Sequence, residues 1–140
     1  MSDTSQAGGV ARASVSGKQV DAEHAVQLQL LNAVAQAIEE GRSVATAELL
    51  FQQFLDYSDA HFISEQIIMR FHGYPGYDLH IHEHDRLMSQ ARQIQEGIIT
   101  GKRPVNLELV RELREWLLVH MAGEDGAFGA YLAEKERMVL

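Results

Sequence analysis

The chain has 140 residues, 46% of them hydrophobic, two prolines and a formal net charge of −8 with histidines neutral. That bounds it to one globular domain with a real core, and its acidic balance argues against partners rich in phosphate, whether nucleic acid or anionic lipid. It has no cysteine, which excludes disulfides, thiolate nucleophiles, cysteine-ligated zinc and iron–sulfur clusters.

Residues 1–18 are rich in Ser, Gly and Ala without an apolar period and read as a flexible N-terminal leader. They lack the apolar core of a signal peptide, no run approaches the roughly 18 apolar residues of a membrane span, and a cytoplasmic protein is expected. Residues 19–140 read as one all-α domain. A first helix is expected from Val20 or Asp21 to Glu40, with Val26, Leu28, Leu30, Leu31, Val34, Ala35 and Ile38 at helical spacing and Gly41 as its stop. Ser43 is the expected N-cap of a second helix that carries Leu49, Leu50, Phe54, His61, Phe62, Glu65 and Met69 and ends near Phe71. The run His72-Gly73-Tyr74-Pro75-Gly76-Tyr77 breaks it. Asp78 is expected to cap a third helix reaching about Ile99, Gly101-Lys102-Arg103-Pro104 to turn the chain, and Asn106 to open a fourth helix. Glycines 123, 126 and 129 loosen that helix's end, so the segment from Phe128 to Val139 either continues it or folds back. Short loops between four long helices predict an up-down-up-down antiparallel four-helix bundle.

The histidines carry the chemistry. His61 and Glu65 stand four apart, His80 and His84 four apart, His120 and Asp125 five apart, and a helical step of four or five is taken to return to roughly the same face. Each pair falls within an apolar helix face, where ionisable groups are costly unless paired or ligating. With His24 from the first helix, these seven residues are expected to converge on two metal ions inside the bundle. His72, in the loop, and His82, about 200° round the helix from His80 and His84, are expected to face solvent. Five imidazoles and two carboxylates suit first-row divalent metals, iron among them, and do not offer the all-oxygen shell of calcium or magnesium. If both carboxylates bridge, three histidines and a bridging oxygen complete six-coordination at one ion. The other ion, with two histidines, keeps an open position for an exogenous ligand. The Glu-x-x-His repeat of ferritin-like di-iron bundles does not occur, which removes the carboxylate-rich oxidase type. Trp116, Leu28, Phe62, Leu117 and Met121 flank the candidate ligands and are expected to form an apolar wall that admits a small neutral gas and slows water.

The succession His24…His61-x3-Glu65…His80-x3-His84…His120-x4-Asp125, with Asp21 and Asn32, Met69, Tyr74-Pro75 and Trp116-Leu117-Leu118-Val119-His120 around it, resembles the hemerythrin family in its single-domain bacterial form. The resemblance spans about residues 20 to 133. It implies a non-haem di-iron centre with an oxo or hydroxo bridge and no organic cofactor. His80, His84 and His120 would ligate the six-coordinate iron, His24 and His61 the five-coordinate one, and Glu65 and Asp125 would bridge them. It further implies reversible dioxygen binding for transport, storage or delivery rather than enzymatic turnover. The alternatives it leaves are an oxygen or redox sensor acting through a signalling partner, and peroxide or nitric oxide turnover. Three departures stand out. Gln27 occupies a pocket position where the family often has an aliphatic residue, and its amide points either inward, towards a bound ligand, or outward. Gln66 replaces a commonly acidic neighbour of the bridging glutamate and is expected at the surface. The leader lacks the tryptophan-containing arm often seen before helix one.

Overall fold

The computed structural model describes residues 15–139. Five helices follow one another: α1 (Val15–Glu39), α2 (Val44–Phe71), α3 (Tyr77–Ile99), α4 (Leu107–His120) and α5 (Gly126–Val139), the last two joined without a break by a π-helical turn at Met121–Asp125. α4, the π turn and α5 together form the fourth rod of an antiparallel four-helix bundle, in which α1 packs against α2 and α4, and α2 against α3. The segment after Phe128 therefore continues the fourth helix. Among the described residues no helix is long and apolar enough to cross a membrane.

The turns follow from local chemistry. Gly41, Gly73 and Gly101 each take positive φ just after a helix, a conformation open to glycine at little cost. Ser43 accepts from the Thr46 backbone N–H at 3.1 Å, and Asn106 accepts from that of Leu109 at 2.9 Å, so both act as the expected caps. Asp78 does not cap α3. The helix begins one residue earlier, and Asp78 lies in its first turn, where a carboxylate is favoured by the helix dipole instead. α1 likewise begins at Val15, inside the stretch read as leader. Ser16 and Gly17 weaken a helix by only about 1 kcal/mol at most each, and the next turns are held by Val20, which is buried, and by Gln19, whose amide donates to Ser64 Oγ and Glu23 Oε2. The rest of the leader, residues 1–14, lies outside the described residues.

Two apolar clusters fill the bundle. Leu31, Val34, Phe51, Phe54, Leu55, Ala91, Ile98, Leu109, Val110, Leu113 and Leu117 pack one end, and Met69, Phe128 and Leu132 the other. On α2 and on the fourth rod the candidate ligands fall between residues of these two ends. Phe54 is 1% exposed. Replacing it with alanine removes a ring from a closed core, and Phe54→Ala is expected to destabilise the protein by about 3–5 kcal/mol, read as a lower midpoint in urea denaturation.

Candidate metal centre

Seven side chains from four rods meet in the middle of the bundle. Glu65, His80, His84, His120 and Asp125 each offer one ligand atom within 4.8 Å of the others, and so do His24, His61, Glu65 and Asp125. The two groups share Glu65 and Asp125. One has three imidazoles and the other two. His24 Nε2 lies 2.8 Å from Asp125 Oδ2, His80 Nε2 lies 3.0 Å from both Glu65 Oε1 and Asp125 Oδ1, His84 Nε2 lies 2.9 Å from Glu65 Oε1, and His120 Nε2 lies 3.2 Å from Asp125 Oδ1.

His120 and Asp125 meet only because of the π turn. In a regular α-helix a step of five leaves about 140° between side chains, so the expectation that steps of four and five are equivalent is corrected here. The wider turn at Met121–Asp125 brings Asp125 back over His120, and π turns of this kind recur at functional sites.

A cation fits this arrangement. The buried side-chain nitrogen and oxygen atoms without a hydrogen-bond partner, among the described residues, are His24 Nε2, His61 Nε2, both Glu65 oxygens, His84 Nε2, both His120 nitrogens and Asp125 Oδ2. All belong to the converging seven. Orphaned buried polar atoms are rare and expensive, and apart from His120 Nδ1, which lies towards Glu124, these belong to the two converging groups, a neutral-nitrogen and carboxylate donor set suited to first-row metals.

The electrostatics agree. Burial opposes ionisation of Glu65, yet the imidazoles of His80 and His84 beside it outweigh burial and hold its carboxyl below the usual range. Asp125 is held low in the same way by His120, His24 and His80, again against burial. Burial works against protonation of His80, but the two carboxylates overcome it and push its pKa up to about 9. His120 is raised by Asp125 and Glu65 against the same opposition from burial, while at His84 burial prevails and the pKa falls. Two buried carboxylates so disposed hold negative charge that a positive partner must balance.

The outward nitrogens are anchored too. His61 Nδ1 meets Glu23 Oε1 at 2.7 Å, and Ser64 Oγ donates to the other oxygen of Glu23 at 3.1 Å. His84 Nδ1 meets the Gln66 amide at 3.2 Å, and His120 Nδ1 lies 3.4 Å from Glu124 Oε1. The carboxylates of Glu23 and Glu124 favour a protonated Nδ1, the tautomer that leaves the Nε2 lone pair for a metal, while the Gln66 amide holds the orientation of the His84 ring. Gln66 is therefore half-buried against a candidate ligand, not a free surface residue. Glu23 was not among the residues singled out from the sequence. Its contact with His61 crosses 38 positions, and its neighbour His24 was the only local hint. Glu23→Ala is expected to weaken metal affinity roughly 10- to 100-fold, measured by competition with a chelator of known affinity.

The expected pocket residues divide. Gln27 is buried, with its amide donating to Ser58 Oγ at 3.0 Å, so it points inward. Leu28 and Met121 are half-buried beside the core, and Leu117 is fully buried. Phe62 is buried among the rings of the three-histidine group. It stacks on His84 at 4.1 Å between centroids, at an interplanar angle of 16°, and meets His120 edge-on at 5.8 Å. Trp116 is half-buried, with its indole N–H donating to Gln90 Oε1 at 3.2 Å. It lines a cavity of about 360 Å³ with Gln90, Arg103 and Glu112. His82 is exposed, as expected, and His72 is half-buried.

Comparison with known proteins points the same way. The chain is similar to the bacteriohemerythrin of Ralstonia nicotianae, 30% identical over 115 residues, which cover 82% of this chain and 80% of that one. It is similar to the bacteriohemerythrin of Methylococcus capsulatus, 27% identical over 113 residues, 81% of this chain and 86% of that one. A crystal structure of wild-type hemerythrin superposes with a TM-score of 0.76 at 26% identity, covering 83% of this chain and 88% of that chain. The family model for the hemerythrin HHE cation binding domain matches residues 17–132. That span takes in all seven converging side chains and every rod of the bundle, and the chain belongs to the hemerythrin family.

Proposed function

We propose that this protein binds dioxygen reversibly at a non-haem di-iron centre, for transport, storage or delivery to an oxygen-using partner. His80, His84 and His120 hold one iron, His24 and His61 hold the other, and Glu65 and Asp125 hold both. The observation that carries this reading is the asymmetry of the two donor groups, three imidazoles against two around the same pair of carboxylates. The poorer group leaves room for an exogenous ligand. Membership of the hemerythrin family supports an iron-dependent, oxygen-binding and generally non-enzymatic protein.

When bound, the two irons supply the pair of electrons that dioxygen takes on binding and returns on release. The chain's own residues do the rest. Glu23 keeps the His61 ring turned inward, and Gln66 does so for His84. Phe62 packs against the rings of the three-histidine group. The apolar clusters at either end of the centre limit water entry, which slows side reactions of a reduced metal.

The test is oxygen uptake by the iron-loaded, anaerobically reduced protein. One dioxygen per two irons is expected, recovered when the solution is purged with argon. Oxidation of the iron with no recoverable oxygen contradicts the proposal.

A further inference from the structure

Outside the converging seven, only two buried polar side chains occur among the described residues, Gln27 and Ser58. They bond to each other, Gln27 Nε2 donating to Ser58 Oγ at 3.0 Å. Their position is specific. Gln27 follows His24 by three residues on α1, and Ser58 precedes His61 by three on α2. The two helices are antiparallel, so both steps run in the same direction along the bundle, and residues three apart are neighbours on a helix face. The His24 and His61 rings are themselves in contact, 4.9 Å between centroids. Gln27–Ser58 is therefore the next rung of the α1–α2 interface above His24–His61.

The same step on the other two rods reaches Leu87, three residues after His84, and Leu117, three before His120. These four residues form one layer, with exposures of 1% for Gln27, 4% for Ser58 and 1% each for Leu87 and Leu117. It covers the histidines from the side opposite Glu65 and Asp125. The layer is split: its apolar half lies over His84 and His120, and its polar half over His24 and His61, the pair with fewer ligands. An apolar core position taken by a glutamine is costly unless it is hydrogen-bonded. Ser58 satisfies one of its two amide N–H donors, and Ser58, while accepting, keeps its own O–H to donate.

We propose that Gln27 and Ser58 are the hydrogen-bonding wall of the exogenous-ligand position on the two-histidine side, and that they make the oxidised centre retain small anions that accept a hydrogen bond. This rests on the di-iron reading above and adds to it a ligand preference. An anion held at that position gains a charge-assisted bond in a buried setting.

Azide is the probe. It is titrated into the oxidised, iron-loaded full-length chain, into Gln27→Leu, and into the double variant Gln27→Leu/Ser58→Ala. The double variant removes both partners of the pair and leaves no orphaned group, so it tolerates the change best. Iron content and the thermal unfolding midpoint are measured on each. The expected result is azide binding weakened about tenfold or more in both variants at unchanged iron content. The bound azide's stretching frequency should shift in heavy water for the wild type and not for the double variant. Equal azide affinity in wild type and double variant, or a wild type that holds two irons but does not bind azide, overturns the inference and leaves the di-iron reading standing. A wild type that takes up no iron overturns both.

Discussion

Stripping the metal from this protein is expected to lower its thermal unfolding midpoint by roughly 10 °C or more. Without a cation, the buried ligand atoms on His24, His61, Glu65, His84, His120 and Asp125 are left with only imidazole–carboxylate contacts among themselves to offset their lost hydration, and two buried carboxylates share the same space. A ligand present at a thousand times its dissociation constant stabilises the folded state by about 4 kcal/mol. Each kcal/mol moves the midpoint by roughly 2–4 °C in a domain approaching 150 residues. The two apolar clusters do not depend on the centre, so the stripped protein should remain helical before it melts. Circular dichroism of iron-loaded and chelator-treated samples, heated side by side, reads both effects. Coincident melting curves would show that the centre contributes nothing to the fold.

Glu65→Ala is expected to remove nearly all bound iron, not half of it. Glu65 is common to both donor groups, so its loss takes a ligand from each ion and leaves Asp125 as the only carboxylate. His61→Ala is different. It takes one imidazole from the group that has only two and leaves His80, His84, His120 and both carboxylates in place. Iron analysis after desalting should therefore fall from about two per chain to near zero for Glu65→Ala and to about one for His61→Ala. Similar losses in the two variants would mean that the carboxylate is not shared.

Much of this centre was legible in the sequence because each helix carries its own part of it. His61 with Glu65 and His80 with His84 stand at a spacing that any α-helix stacks on one face, and glycine and Asn or Ser at the turns marked where helices stop and start. The fourth rod was only half legible. His120 and Asp125 stand five apart, a spacing that an α-helix does not align; read as equivalent to a step of four, it yields the pairing but not the π turn that makes the pairing possible. Contacts between helices left no such trace. Glu23 and Gln66 look like solvated residues along their own helices, and only the packing of α1 on α2 and α2 on α3 brings them to His61 and His84. Gln27 was ambiguous for the same reason, since its partner Ser58 lies 31 residues away. Trp116 was placed on the ligand face by a step of four from His120, but Leu117 takes the fully buried position, and the indole leans out to Gln90.

The account turns on two metals held by one shared pair of carboxylates, and X-ray absorption at the iron edge on the loaded protein tests this most directly. The expected result is two irons per chain with an iron–iron scattering distance of roughly 3.5–4 Å, the separation usual for two-metal sites. One iron per chain, or two with no iron–iron scattering, would contradict it.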